Sequence, residues 1–402
     1  MDTTTQHADT RFSRKRDAIL DAASIQIERH GLKGLTFVAV ADAVGLNTTS
    51  ITYYFKRKDL LAAATLQRGI GQLSAIVAAG DQAASPQGAI RAVLGAQLDR
   101  VAQVQAGKAQ PVTLLSDMRA LDAPSRNALT DAYRAVIWQL AAHFGPMPDT
   151  GSKARNLARA QIVMEIIHWS RISLTLYSEA DFPRVLDRLM DLLEQGIAPD
   201  GAGWTPEQLS IDTDNNTAPE AYLRAATLLL NERGYRGASV TRIAAQLNLS
   251  KGSFYHHLQG KDDLVLACFD RSYSRVSQTQ RMAIALDGDC WHQLTTAIAT
   301  LLHVQFTAEF PLLRTTALQV LPQELRPTVL QRSDRMARRF AGMMIDGITQ
   351  GSIRAIDPLL ASQCLMAALN AAGDFTPWAA QRGSVAEAAR IYAAPLAFGF
   401  FD

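Results

Sequence analysis

Two short stretches of this chain set hydroxyl, imidazole and ammonium groups at helical spacing. The first holds Thr48, Thr49, Ser50, Thr52, Tyr53 and Tyr54, with Lys58 following; the second holds Lys251, Gly252, Ser253, Tyr255, His256 and His257, with Lys261 following. Groups of these types recognise by hydrogen bonding. Hydroxyls reach phosphate oxygens or base edges, and threonine methyls meet thymine methyls. A lysine that opens a helix joins its ammonium to the unpaired backbone N–H groups there and can hold a phosphate. Other chemistry is poorly provided for. The chain has no nucleophile motif, no glycine-rich phosphate loop and no His/Asp/Glu cluster with metal-ligand spacing. Neither catalysis nor a cofactor is expected.

The elements that must position these groups occur twice. Ala18 to Ala64 and Ala221 to Ala267 align without a slip, so that Gly31 pairs with Gly234, Gly34 with Gly237, Ser50 with Ser253, Lys58 with Lys261 and Asp59 with Asp262, always 203 positions apart. A repeat this long is a duplicated domain rather than a solenoid unit. Each copy has helix-turn-helix spacing. In the first, a helix from about Arg14 to His30 is capped at Gly31. Thr36 then caps a short helix to Val44, Gly45 turns the chain, and Thr48–Tyr54 forms a third helix before Lys58 opens a fourth. Val40, Ala41 and Val44 are set to pack on Leu46, Ile51 and Phe55; in the second copy Ile243, Ala244 and Leu247 are set against Leu249, Phe254 and Leu258.

Over 402 residues, 48% hydrophobic and 19% charged, the chain can bury a sizeable core, and its formal net charge is only +2. The charge is unevenly placed. Arg11 to Arg68 carries ten Lys/Arg against five Asp/Glu, and Glu220 to Arg275 eight against five, which leaves a balance of −6 elsewhere. Positive charge therefore gathers on the repeats, where a polyanion would meet it. Three cysteines, Cys268, Cys290 and Cys364, with no Cys-x-x-Cys pair, argue against a disulfide framework or structural zinc. The N-terminal residues lack the apolar stretch of a secretory leader, and no run is read as a membrane span. A cytoplasmic setting without membrane contact is the expectation.

Strand-like alternation is scarce, and the chain reads as all-α. Long apolar helices are expected over Asn156–Tyr177 and Phe182–Gln195, closed by Gly196, and again over Leu359–Ala371 and Val385–Leu396, ending near Gly399. Ala198 to Pro219, rich in Pro, Gly, Asp, Asn and Thr, reads as a linker. The expected organisation is a first helix-turn-helix domain over 1–61, a helical domain over 62–197, a linker over 198–217, a second helix-turn-helix domain over 218–264 and a second helical domain over 265–402.

Both copies resemble the DNA-binding domain of TetR-family transcriptional regulators. Leu249 to Leu264, LSKGSFYHHLQGKDDL, is close to that family's usual third-helix string. The first copy departs from it: Thr49 stands where the second has Gly252, and Thr52 where it has Tyr255, a tyrosine that normally contacts a phosphate in the family. The second copy carries Asn248 in place of the turn glycine and lacks the basic lead-in Arg11, Arg14, Lys15 and Arg16. The resemblance implies a double-stranded operator as partner, with Arg14, Thr36, Thr241 and Arg242 joining the third-helix residues in the contact. It implies a helical cavity behind each reader for a small molecule, often apolar or aromatic, and a four-helix bundle built from the last two helices of each unit. Two such units joined head to tail would form an intrachain pseudo-dimer, with a further homodimer open. Candidates for lining a cavity are Trp138, His143, Glu165, His168, Trp169, His303, Phe306 and Phe310, with packing in a core or interface the favoured alternative for them. The expected function is a DNA-binding regulator, a repressor released by its ligand; the alternative is a ligand-sequestering or interaction protein with one or both readers inactive.

Overall fold

The computed structural model describes residues 3–110, 121–211, 218–237, 240–246, 260–307, 311–314 and 324–401, with single positions at 112, 115, 118, 318 and 321. Regular structure among them is entirely helical. The first half contains α1 (Thr3–Gly34), α2 (Phe37–Val44), α3 (Thr48–Tyr54), α4 (Lys58–Ala78), α5 (Pro86–Gln105), α6 (Ala123–Ala142), α7 (Thr150–Ser173) and α8 (Phe182–Gln195). The second contains α9 (Ala218–Gly237), α10 (Val240–Gln246), α11 (Lys261–Ile284), α12 (Cys290–Thr307), α13 (Arg326–Gln350), α14 (Pro358–Ala371), the short α15 (Thr376–Ala379) and α16 (Val385–Phe398).

The 203-residue offset returns in the helix starts: α2 and α10, α4 and α11, α6 and α13, and α8 and α16 begin that far apart. Local chemistry explains the starts. Pro124 and Pro183 sit in the first turns of α6 and α8, where a missing N–H costs nothing. Ser384 caps α16 by accepting from the Glu387 N–H at 3.1 Å. The halves differ in the lengths of several helices. α13 runs 25 residues where α6 has 20, and α14 is 14 residues long where α7 has 24.

One sequence-based expectation needs correction: the first helix begins at Thr3 rather than near Arg14. Its regular geometry ends where expected, at Gly31, whose φ of 62° and ψ of −178° break the helix before a further turn to Gly34. The run Lys58–Ala78 is also apolar enough, by length and composition, to cross a membrane. Its apolar residues are used instead against α1, α5 and α6.

Each unit packs by the same plan. α4 lies on α6, α6 on α7, and α5 on α8; likewise α11 lies on α13, α13 on α14, and α12 on α16. α7 and α8 of the first unit then pack against α14 and α16 of the second, inside one continuous apolar core. The main-chain bonds at this junction are reciprocal. The Ile197 N–H donates to the Leu396 carbonyl at 3.1 Å and the Phe400 N–H donates to the Leu193 carbonyl at 2.8 Å. These two bonds exchange under the 203-residue offset, as expected of an isologous contact, in which i meets j and j meets i. Side chains close the seam: Arg354 forks onto Asp191 at 2.9 and 3.0 Å, Trp169 Nε1 donates to Gln363 Oε1 at 2.7 Å, and Arg188 pairs with Asp357.

All three cysteines are buried. Burial pushes the Cys268 thiol up to about 11 and that of Cys364 up to about 12, and raises Cys290. A thiol near 11 is ionised to about one part in a thousand at pH 8, and only the thiolate attacks. Iodoacetamide at pH 8 is therefore expected to leave the native chain unlabelled under conditions that label all three cysteines in urea. Rapid native labelling, read by intact-mass spectrometry, would refute the packing around them.

Candidate nucleic-acid interface

The first reader is assembled from α1 to α4. Val40, Ala41 and Ile51 are fully buried and Phe55 nearly so, with Val44 and Leu46 packed beside them, which sets the crossing of α2 and α3. Gly45 occupies the left-handed region at φ 64°, ψ 34°, a geometry that a side chain would strain. Both helices begin with side-chain caps. Thr36 Oγ1 accepts from the Ala39 N–H at 3.1 Å, and Asn47 Oδ1 accepts from the Ser50 N–H at 2.7 Å and the Ser50 hydroxyl at 2.8 Å.

These bonds divide the predicted contact residues. Thr48, Thr49 and Tyr53 lie on the exposed face of α3, and Tyr53 is 68% exposed. Ser50 and Thr36 spend bonding capacity on helix caps. The Thr52 hydroxyl donates back to the Thr48 carbonyl at 2.8 Å, inside the helix. Tyr54 is half-buried against the core. Arg14 is exposed on α1. Lys58 opens α4 beside exposed Lys56 and Arg57. The hydrogen bond from Arg57 holds the Asp59 carboxyl below its ordinary range, so it is an anion shielded by its neighbour.

Sequence reasoning missed Phe12 and Asn47 here. Phe12, on the early part of α1, lies 4.7 Å from the Tyr54 ring and 6.1 Å edge-on from Tyr53. One turn later Arg16 sits over the Phe55 ring at 5.7 Å. α1 thus lays its basic lead-in beside the exposed end of α3. No local pattern announces Phe12, because its partners lie more than 40 positions away. Asn47 was readable: an Asn just before a helical run is a standard capping signal. Asn47→Ala is expected to destabilise the first reader by about 1 kcal/mol, seen as faster amide exchange over 48–54. Unchanged exchange would show that the cap contributes nothing.

The joint behind this reader involves both units. Arg171 Nη2 donates to Glu28 Oε1 at 2.7 Å and Nη1 to the Val112 carbonyl at 2.9 Å. Arg326, at the start of α13 in the second unit, donates to the Glu28 and Arg29 carbonyls at 3.3 and 3.1 Å. Burial raises the Glu28 carboxyl, with Arg171 opposing that shift.

In the second reader, Tyr222, Ala226, Leu230 and Ile243 join Leu264 and Phe269 in a separate apolar cluster. Thr241 and Arg242 are exposed on α10, and Lys261 opens α11. Lys251, Gly252, Ser253, Tyr255, His256 and His257 lie outside the described residues.

Known proteins share the sequence of these two segments. Residues 19–65 and 223–268 each match the sequence model of bacterial regulatory proteins of the tetR family. Each half of the chain is thus headed by a segment of tetR-family type, in tandem. Curated relatives include the Transposon Tn10 TetC protein of Escherichia coli, 34% identical over 50 residues, which are 12% of this chain and 25% of that protein. Another is the HTH-type transcriptional regulator BetI of Burkholderia thailandensis, 34% identical over 87 residues, 21% of this chain and 45% of that protein. The matches thus span less than half the length of these two relatives. Similar solved structures include the TetR family transcriptional regulator PfmR from Thermus thermophilus, at 23% identity and TM-score 0.36, covering 44% of this chain and 96% of that one. Apo AibR is similar at 19% identity and TM-score 0.38, covering 44% and 97%.

The residues proposed for a ligand cavity are not gathered at one place. Trp138 is 44% exposed on α6. The His143 Nε2 lies 3.0 Å from the Val77 carbonyl and pins the end of α6 to α4. Glu165 accepts from Gln161 at 3.2 Å and lies 3.6 Å from His168, whose ring stacks on Tyr133. Trp169 is committed to Gln363 across the unit junction, and the space beside it, about 20 Å³, is room for a water at most. Phe306 is buried in an aromatic cluster with Trp378 and Tyr392. His303 lines a cavity of about 710 Å³ in the second unit. Phe310 lies outside the described residues. Among those described, no group of His, Cys, Asp or Glu could hold a metal ion.

Proposed function

We propose that this chain is a DNA-binding transcriptional regulator that presents two non-identical readers from one intrachain pseudo-dimer, and a repressor released from its operator by a small molecule. The reciprocal bonds Ile197–Leu396 and Phe400–Leu193 carry the reading, since they tie two tetR-type units in the isologous manner of a subunit pair. The readers differ in chemistry. α3 offers Thr48, Thr49 and Tyr53, while the matching segment of the second copy offers Lys251, Tyr255, His256 and His257. A covalent pair of unequal readers is free of palindromy and suits two different half-sites about one helical turn apart. The test is a gel shift with the duplex upstream of the chain's own gene, across a salt series. Lys58→Ala combined with Lys261→Ala should weaken binding to every sequence and lower the slope of log affinity against log salt by about 2. An unchanged slope would show that these lysines hold no phosphates.

One observation favours a second reading. The Thr52 hydroxyl, standing where the second copy has Tyr255, is bonded within its own helix. If the full chain discriminates no duplex from random sequence yet binds a small molecule, it is a sequestering protein with silent readers.

A further inference from the structure

The segment expected to be a free linker is a wall. Residues 199–211 run without regular structure across α12, anchored by Trp291 Nε1 on the Gly203 carbonyl at 3.0 Å, the Glu207 N–H on Thr296 Oγ1 at 3.0 Å, and His292 against Glu207 at 3.0 Å. Between this strap and α11, α12 and α16 lies the cavity of about 710 Å³, a volume typical of small-molecule sites. Trp204, Leu209, Val304 and Ala389 give it apolar walls, Arg275 gives it a guanidinium and His303 an imidazole.

Arg275 has a second engagement. It is 7% exposed, and its Nη2 donates to Glu220 Oε1 at 2.6 Å. Glu220 lies in the first turn of α9, the first helix of the second reader. The same Oε1 accepts from Arg271 Nε at 2.6 Å. The Arg271 strut has a counterpart in the first unit: Arg68, at the matching position, bonds Asp21 on α1 at 2.6 Å. Arg275 has none, for Gln72 stands at its matching position. The second unit therefore carries an extra guanidinium, which faces the cavity and holds the root of a reader helix.

We propose that this cavity binds an organic carboxylate with an apolar body, and that the carboxylate takes Arg275 from Glu220 and so loosens the start of α9. A guanidinium fork fits a carboxylate in two parallel hydrogen bonds. The exchange is inexpensive, because Glu220 keeps Arg271 and no carboxylate is left buried without a cation. The acidic groups in the walls do not repel the ligand strongly: Glu387 is held by Arg390 at 2.8 Å and Glu207 by His292. The ligand therefore acts on the second reader through the Arg275–Glu220 pair at the start of α9. This deepens the regulatory reading by naming the ligand class and the reader it moves. The binding itself does not depend on that reading.

The test is calorimetry of the full chain with 4-phenylbutyrate and octanoate, each against its alcohol. The acids should bind at least tenfold more tightly than the alcohols. Arg275→Gln should erase that preference, and Ala299→Phe, which fills the cavity, should block acid and alcohol alike. Glu220→Gln removes the competitor and should tighten the acids severalfold, an outcome that a merely structural ion pair would not give. Amide exchange at the start of α9 should quicken when acid is bound to the wild-type chain. No acid binding by the folded chain, equal binding of acid and alcohol, or unaltered acid affinity in Glu220→Gln would each overturn the proposal. A gel shift is run separately: acid binding without any operator preference would remove the regulator reading and leave the site intact.

Discussion

Gly196→Val is expected to destabilise the chain by roughly 3 kcal/mol or more and to open the seam between its halves. Gly196 closes α8 at φ 69°, a conformation unfavourable to any residue with a Cβ by about 1–2 kcal/mol. Strain is the smaller part. A Cβ there would lie 2.4 Å from the Ala397 carbonyl oxygen and 2.6 Å from both the Ala397 carbonyl carbon and the Phe398 nitrogen. All three are backbone atoms of the opposing unit, so no side chain can rotate away. Relief requires α8 and α16 to separate, which breaks the Ile197–Leu396 and Phe400–Leu193 bonds and draws Arg354 from Asp191. Gly45→Ala is the control. It shares the positive φ but has nothing within 4 Å of the added carbon, so only the conformational term applies. Denaturant unfolding should rank Gly196→Val well below Gly45→Ala, and small-angle scattering should show it expanded. Equal losses would mean that the close approach is not where the stability of the seam lies.

Ile51→Ala is expected to cost about 2–5 kcal/mol, the range for emptying a core position of that size. Ile51 is fully buried where α3 meets α2, and a domain of four helices has little around it to refill the void. The loss should fall on one reader. The second reader's apolar cluster, from Tyr222 to Val329, contains no residue of the first reader. Amide protection should therefore vanish over α2 and α3 while persisting in α9. On a duplex with two half-sites the footprint should shrink to one, and affinity should drop by about 10²–10⁴ as the advantage of tethered double engagement disappears. A full footprint in Ile51→Ala would mean that the first reader does not touch DNA.

Much of this architecture was legible because its signals are local. Thr36, Gly45 and Gly196 announce helix ends by chemistry confined to a few residues, and α3 and α8 begin and end where those signals put them. The duplication is legible because it needs only comparison of the chain with itself. What escaped depends on distant partners. Phe12 rests on Tyr53 and Tyr54, more than 40 positions away, and no pattern near it says so. The segment after Ile197 has a linker's composition, yet Trp204 and Leu209 pack on the core and make it a wall. The candidate ligand residues were chosen for type and apolar neighbours. That choice cannot separate Trp169, which closes the seam, from His303, which faces a cavity; only the fold does so.

The junction through Leu193, Ile197, Leu396 and Phe400 also changes how the molecule responds to scarcity. Separate subunits come apart when they are diluted, so their pairing is set by how many copies a cell makes. In the proposed pseudo-dimer the pairing of the two units is a property of each polypeptide and is first order. A few molecules per cell would keep their two units paired as well as a concentrated solution does, and either half would be free to accumulate substitutions that a shared gene would impose on both.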